Sequence, residues 1–509
     1  MIKRVLLADI EQDRSVVTNS TLNNAWSHFP IGLMYLASSI RKSFPNIEVQ
    51  LFHTITKDNA KEEMARVIET LRPDLIGLRG ISRFQQLFEE FALLIRSKTG
   101  RPLISGGPFP STSYRYVLEK NFSDLVVIGE GEAAIVEIIQ AVNAEGKLPK
   151  HVPGTAVRKN GKVFVNRDRS FVVDVNQIPF PAYDLLTPDD YAGLQNHAFQ
   201  ETRKAAYIFC SRGCPYKCIY CHQLFGKKMR RRTAENIVTE MKEIFDKSGL
   251  DTFVILDDCF NVPLGNAKEI LRRIARELPN VKINFPNGLR VDMIDEEFVS
   301  LLEACHCVEI ALAVETASPR LQKYIGKRLN LKKAEKNVDI VSRKFITTVF
   351  FMVGFPTETY EDALQTIDFA RQMEYISQPV LSVVRVYEHT PLYDLLDCRN
   401  NELFRANRQD KMDMHTQLNN QMQFYGDYFD SDAVPLKSEN IADLRLKWNF
   451  DVVFNEKRLA NCNRILAKYL SEDQLLNFYR CFLDRKDLNK EGLRRKILGR
   501  SSSGTGSRE

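Results

Sequence analysis

Four of the ten cysteines in this sequence fall within twelve residues: Cys210, Cys214, Cys218 and Cys221. The last three have the spacing CxxxCxxC. Three thiolates on one short loop can wrap a corner of an iron–sulfur cubane and ligate three irons, leaving the fourth open to an exchangeable small molecule. Zinc is the competing chemistry, but a structural zinc site usually combines CxxC pairs from two places, and the chain has no second pair. A saturated cluster needs four cysteines. Cys210 stands four residues ahead and could close it, yet it ends a predicted strand, where a buried thiol also fits.

The elements that must position this loop follow from apolar patterning. Strands are expected at Val5–Asp9, Glu48–Phe52, Leu75–Leu78, Leu103–Ser105 and Leu125–Ile128, with helical spacing between them, as over Pro30–Phe44 and Phe84–Ser97. This alternation predicts a doubly wound, Rossmann-like α/β domain over residues 1–150. Its loops at strand C-termini are glycine-rich, which lets backbone approach a large ligand. A GxGxxG fingerprint is absent after the first strand, which counts against a dinucleotide.

Residues 151–200 read as a hairpin across Asn160-Gly161, then a proline-interrupted linker. From 201 to 395 the alternation resumes, with strands expected at Ala206–Phe209, Phe253–Asp257, Asn284–Pro286, Cys307–Ala313, Ile346–Val353 and Leu381–Val386. Six such units predict an open (β/α)6 partial TIM barrel with its chemistry at the strand C-termini. Residues 396–500 read as a helical, polar region and 501–509 as a disordered tail.

Composition narrows the class without naming a substrate. A length of 509 residues predicts two or three domains, and a net charge of +6 argues for neither nucleic acid nor a membrane surface. No signal peptide is visible and no run reaches eighteen apolar residues, so a cytoplasmic protein without a membrane span is expected, its scattered cysteines reduced. The run Lys227–Arg232 could meet a phosphate or carboxylate, but a solvated helix start is the plainer reading.

The stretch Cys210-Ser-Arg-Gly-Cys214-Pro-Tyr-Lys-Cys218-Ile-Tyr-Cys221 resembles the radical S-adenosylmethionine superfamily, whose hallmark is CxxxCx(aromatic)C at the end of the first barrel strand. Leu256-Asp-Asp258, Gly288-Leu-Arg-Val-Asp292, Ala313-Val-Glu315-Thr and Gly354-Phe-Pro-Thr-Glu358-Thr follow in the expected order. The resemblance implies a [4Fe–4S] cluster on Cys214, Cys218 and Cys221. It also implies S-adenosylmethionine contacts from Tyr220, Arg290, Glu315 and Gly354. Thr357 stands where the family has glycine.

A Rossmann-like domain directly before such a barrel is similar to the cobalamin-binding class of radical methylases. The resemblance runs over roughly residues 1–390 and includes Phe29-Pro-Ile-Gly32. It implies cobalamin against Gly106, Gly107, Pro108, Gly129, Glu130, Gly131 and Glu132. The DxHxxG pattern is missing, so Ser82 and Arg83, after the third strand, are expected nearest the lower face of cobalt. His28 and His53 read as solvated or core histidines.

The implied activity is methyl transfer to an unactivated carbon of a small-molecule or peptide substrate. Asp257, Asp258, Cys259, Arg290 and Tyr387 end strands at the barrel mouth, and a flavodoxin or ferredoxin supplies the electron. The alternatives are rearrangement, cyclisation or oxidation without methyl transfer, or a non-catalytic iron–sulfur or zinc module.

Overall fold

The computed structural model describes residues 1–12, 14, 27–166, 171–194, 201–222, 224–406 and 424–471. Its first sheet has seven strands: β1 (Arg4–Ile10), β2 (Glu48–His53), β3 (Leu75–Gly80), β4 (Leu103–Gly106), β5 (Leu125–Val127), β6 (Thr155–Lys159) and β7 (Lys162–Val165). They lie in the order β2-β1-β3-β4-β5-β6-β7, the first five parallel. Leu6, Ala8 and Ile10 enter one apolar cluster with helices Ala60–Leu71 and Gln85–Lys98. Val5 and Leu7 enter another with helices Ile31–Ser43 and Glu132–Glu145. A strand covered on both faces has no polar side, so β1 reads as one apolar run. The strand order reverses between β1 and β3, and in such sheets ligands bind beyond the carboxyl ends at that point.

The hairpin at Asn160-Gly161 joins this same sheet: β6 pairs antiparallel with β5, and β7 with β6. Both turn residues have positive φ, 49° and 76°, the backbone of a tight two-residue turn.

The second sheet has six parallel strands: β8 (Ala205–Ile208), β11 (Thr252–Ile255), β12 (Lys282–Leu289), β13 (Glu309–Glu315), β14 (Ile346–Val353) and β15 (Gln378–Val383). Between the first two lies a short antiparallel ribbon, β9 (Ser211–Arg212) with β10 (Arg230–Arg231). The order β15-β14-β13-β12-β11-β8 follows the chain, and the end strands do not pair, which is an open partial barrel.

The barrel strands other than β14 differ from the sequence reading by one to three residues at their ends, and two of the differences involve prolines. β12 runs through Pro286 to Leu289 because the proline sits where the register with β13 slips, at an irregularity that needs no ladder donor. β15 begins three residues early and contains Pro379, which an edge strand tolerates.

The two units share a core. Ala206 and Ile208 of β8 point into the barrel cluster. Ala205 and Tyr207 pack outward with Met34 and Tyr35 of the first domain and Val175, Ile178 and Tyr191 of the connecting segment.

After the barrel come helices Ser438–Lys447 and Glu456–Leu466 with a π-turn, Trp448–Val453, between them. Trp448 meets Phe351 of β14 at a centroid distance of 5.2 Å. The rest of the expected helical region beyond 471, and the tail 501–509, lie outside the described residues. Among the described residues no helix is long and apolar enough to cross a membrane.

Arg458 locks this region down. It is 1% exposed and donates to Val452 O (2.9 Å), Ile376 O (2.7 Å), Ser377 O (3.2 Å) and Val453 O. Arg458→Met keeps the volume but strands those carbonyls. It should lower stability by about 2–4 kcal/mol, read from urea unfolding followed by Trp448 fluorescence.

Candidate active site

The cysteine loop leaves β8 at Cys210 under tight control. The Asp257 carboxylate at the end of β11 accepts from Cys210 N (2.7 Å) and Ser211 Oγ (2.6 Å). Gly213 has φ +90°, and a Cβ there would stand 2.7 Å from Lys228 O, so the turn into Cys214 requires glycine. The far side is stitched by Ile219 N to Ile325 O (3.1 Å) and Leu392 N to Ile219 O (2.9 Å). The Cys210 thiol packs in the barrel core, whereas Cys214 and Cys218 are half-buried and Cys221 is exposed at the mouth.

The electrostatics suit a metal cluster. Burial and the neighbouring Cys218, Asp258 and Cys214 push Cys221 up to about 12. Burial also raises Cys218, against the pull of Lys327. A hydrogen bond from Cys259 brings Cys214 down to about 6 although burial opposes it. Crowded thiolates of this kind need cations to hold them deprotonated together, and three soft sulfur donors with no second CxxC pair fit a [4Fe–4S] cluster better than zinc.

Around the loop stand the residues expected to meet S-adenosylmethionine. Tyr220 faces Phe355 of the Gly354 turn, ring centroids 5.5 Å apart. Glu315 ends β13 with φ +69°, a strained backbone for a glutamate, and pairs with Lys327 at 2.7 Å. Arg290 lies over the Tyr216 ring (3.8 Å), pairs with Asp292 (3.0 Å) and donates to Lys327 O (3.0 Å) and Arg328 O (3.2 Å). Its guanidinium is thus committed to bracing neighbouring loops.

Gly354, φ +91°, donates its N–H to Glu358 Oε2 (2.6 Å), and its carbonyl accepts from Tyr425 Oη (2.6 Å). Thr357 takes the positive φ, +61°, that a glycine would supply there. Arg320 holds its carbonyl (2.7 Å) and hydroxyl (3.1 Å), which is how the departure from glycine is accommodated.

At the carboxyl edge of the first sheet, Ser82 and Arg83 form a short turn after β3. Gly107, φ +89°, allows the approach of the Arg79 side chain and Gly80 backbone, and Pro108 opens a helix. Gly129 N donates to Ser111 Oγ at 3.1 Å, and Gly131 packs under Leu36. Glu130 and Glu132, beside these glycines, are turned into ion pairs that cross to the barrel: Glu130 with Arg212 (3.3 Å) and Arg230 (2.7 Å), Glu132 with Arg212 (2.6 Å).

The run Lys227–Arg232 is therefore not simply a solvated face. Arg230 and Arg232 are buried, Arg232 against Glu240, because buried carboxylates elsewhere in the chain recruit them.

Sequence reading missed a buried polar cluster at the ends of β1, β2 and β3, whose only signal was a charge closing an apolar strand. Arg79 donates to both Asp9 oxygens (2.6 and 2.7 Å), and His53 Nδ1 meets Tyr191 Oη at 2.9 Å. Burial is overcome at Glu11 by His53, Arg79 and His28, which hold it down to about 2. Burial draws His28 down to about 4. The edge faces the barrel mouth: Tyr114 stacks on His389 (5.4 Å), and His222 meets Tyr387 (4.3 Å). The large groove of about 1160 Å³ lies at the opposite end of the barrel, beside Asp251, Lys282 and Lys344, and contains none of these residues.

The family model described as the radical SAM superfamily matches residues 208–370, and that of the B12 binding domain matches 23–139. The chain is 27% identical over 381 residues to an uncharacterised methyltransferase of Pyrococcus horikoshii, PH0819, covering 73% of this chain and 79% of that one. It is 23% identical over 401 residues to cytidylyl-2-hydroxyethylphosphonate methyltransferase of Streptomyces wedmorensis, covering 69% and 74%. The fold matches the radical S-adenosylmethionine methyltransferase TsrM of Kitasatospora setae, solved with cobalamin and a [4Fe–4S] cluster, at a TM-score of 0.68 and 18% identity over 98% of this chain and 100% of that one. It also matches OxsB, solved with aqua-cobalamin and S-adenosylmethionine, at 0.64 and 18% over 94% and 72%.

Fold and site together define a radical S-adenosylmethionine enzyme whose barrel is preceded by a B12-binding domain. It thus carries the two domains, B12-binding before radical SAM, in one chain.

Two outcomes follow from this geometry. Thr357→Asn keeps a side-chain acceptor for Arg320 and relieves a β-branched residue of left-handed backbone, so thermal unfolding should show a gain of about 1 kcal/mol. His28 stays neutral in the fold down to about pH 4, while its unfolded counterpart takes up a proton near 6.5, so stability present above pH 6.5 is lost as pH falls toward 4. Urea midpoints should rise with pH across that window, and rise less in His28→Gln.

Proposed function

We propose that this enzyme transfers a methyl group to an unactivated carbon of a small organic substrate held between the cysteine loop and the carboxyl edge of the first sheet. The observation that carries this reading is Arg212. It stands two residues before Cys214 and is paired with Glu130 and Glu132 of the turn after β5, so the two expected cofactor sites share one interface.

In this reading Cys214, Cys218 and Cys221 hold the cluster, Tyr220, Glu315 and the Gly354 turn receive S-adenosylmethionine, and Ser82, Arg83, Gly106, Gly107, Pro108, Gly129 and Gly131 shape the cobalamin seat. When bound, these cofactors supply hydrogen abstraction and a transferable methyl group, chemistry that no side chain here could perform. The protein's own part is position and dryness. Asp257 fixes the entry to the cysteine loop, and the Lys327–Glu315 pair fixes the strand end that carries Glu315. Tyr114 of the first domain stacks on His389 after β15, and His222 of the cysteine loop meets Tyr387; in this reading these rings border the substrate. The electron comes from a small redox protein such as a flavodoxin or ferredoxin.

A second reading has its own support. The anaerobic magnesium-protoporphyrin IX monomethyl ester cyclase of Cereibacter sphaeroides is 24% identical over 383 residues, covering 72% of this chain and 60% of that one. Oxidative cyclisation without methyl transfer would give 5′-deoxyadenosine alone.

The test is anaerobic purification, reconstitution with iron, sulfide and hydroxocobalamin, and a spectrum after desalting. Retained corrinoid bands beside cluster absorption, then S-adenosylhomocysteine together with 5′-deoxyadenosine on turnover, are expected. Corrinoid that washes out, or 5′-deoxyadenosine without S-adenosylhomocysteine, would overturn methyl transfer. Alanine at Cys214, Cys218 or Cys221 should abolish the cluster absorption.

A further inference from the structure

The loop after β13 carries a block of charge that the reading above does not use. Between residues 320 and 336 stand seven lysines and arginines against one acid, Glu335. Arg320 and Lys327 are committed to Asp362 and Glu315. Lys323, Arg328, Lys332 and Lys333 are exposed, as is Lys217 in the cysteine loop, and among the described residues none of the five forms an ion pair. Elsewhere on the barrel surface such residues are paired: Lys242 with Glu277, Lys268 with Asp295, Lys344 with Glu303. Lys332 and Lys333 even open the helix Leu331–Ser342, where positive charge opposes the helix dipole, so helix stability does not account for them.

This charged loop is fastened to the cysteine loop. Ile219 N donates to Ile325 O (3.1 Å). Gly326, φ +73°, comes so close that a Cβ on it would stand 2.6 Å from Lys217 O and 3.8 Å from Cys218 Cα. Arg290, lying over Tyr216 at 3.8 Å, donates to Lys327 O (3.0 Å) and Arg328 O (3.2 Å). Its partner Asp292 accepts from Asn330 N (3.1 Å) at the start of the helix. The unpaired charges thus flank the outer wall of the loop that carries Cys218, and at half-buried Gly326 that wall has no side chain. Arg212, two residues before Cys214, is turned to the first domain instead.

We propose that this face, Lys217, Lys323, Arg328, Lys332 and Lys333 around Gly326, is the docking surface for the small acidic redox protein that reduces the cluster. The inference rests on the assignment of Cys214, Cys218 and Cys221 above. A patch of one sign without internal partners attracts an acidic protein and orients it on encounter. A bare glycine at its centre lets the donor's cofactor approach the Cys218 backbone, and electron transfer slows steeply with distance. In the step, the flavin of a flavodoxin passes from hydroquinone anion to neutral semiquinone. The one electron it loses takes [4Fe–4S]²⁺ to [4Fe–4S]⁺, and no proton moves.

The experiment mixes anaerobically reconstituted full-length protein with flavodoxin hydroquinone in a stopped-flow cell and follows the semiquinone. Lys217→Glu/Lys323→Glu and Lys332→Glu/Lys333→Glu are compared with Lys159→Glu/Lys162→Glu, the same change on the exposed hairpin of the first sheet. The Lys332/Lys333 pair of changes favours the helix dipole, so that variant folds at least as well as the parent. At low salt both face variants should be reduced roughly tenfold or more slowly. They should also bind oxidised flavodoxin more weakly by calorimetry, while the hairpin variant matches the wild type. Salt should slow the wild type toward the face variants. Photoreduced 5-deazariboflavin, which is uncharged, should reduce the cluster of all four proteins at one rate.

Equal flavodoxin rates in wild type and both face variants would overturn the docking surface, as would an equal loss in the hairpin variant. So would single-stranded RNA retained by the wild type and lost from the face variants with the flavodoxin rate unchanged, which assigns the patch to nucleic acid. A wild-type protein without cluster absorption would refute the three-cysteine assignment, and this proposal with it.

Discussion

Four buried charges, Arg212, Arg230, Glu130 and Glu132, hold the two halves of this enzyme in register. The Arg212 guanidinium is 6% exposed and the carboxylates of Glu130 and Glu132 are 4% and 9% exposed. Each group pays for desolvation only because the others are present, and removing one partner of such a set costs about 3–5 kcal/mol. Arg212 also lies over Tyr35 and Phe225, so the ion pairs sit inside an aromatic wall. Since Arg212 belongs to the cysteine loop and Glu130 to the glycine turn after β5, electrostatic satisfaction itself sets the spacing of that loop and that turn. The apolar layer of Met34, Tyr35, Val175, Ile178 and Tyr207 supplies area, and the ion pairs supply alignment.

Much of this was legible in the chain because local and global signals agreed. β1, β14 and the helix Gln85–Lys98 appeared from periodicity, since a strand sealed on both faces is apolar throughout and a surface helix shows its stripe. The cysteine spacing identified the chemistry, because sulfur ligation to a cubane depends on a few neighbouring residues. Thr357 was visible as a departure, but its resolution was not: the Arg320 contact joins residues 37 apart.

What stayed hidden was pairing over distance. The partners of Arg212 lie 80 and 82 residues away, and those of Arg230 and Arg232 gave the basic run the look of a solvated stretch. The same limit kept the Asp9–Arg79 pair and its histidine neighbours out of sight, since each residue is unremarkable in its own window. Strand ends beside two prolines also differed from the reading. Pro286 and Pro379 punctuate a sequence strongly, yet an irregular register and an edge position absorb them.

The gap between β8 and β15 has a consequence for how such a chamber can change. A closed barrel fixes its girth through a continuous ring of hydrogen bonds, so widening it means re-registering every strand. Here the ring is never completed, and the outer face of β8, at one side of the gap, packs on the neighbouring domain. The arc can therefore open or tighten by altering the surfaces that meet across the seam, while the strands that carry Cys210, Asp257 and Glu315 keep their pairing. Accommodation of bulkier or slimmer guests becomes a matter of redrawing a border rather than rebuilding a fold.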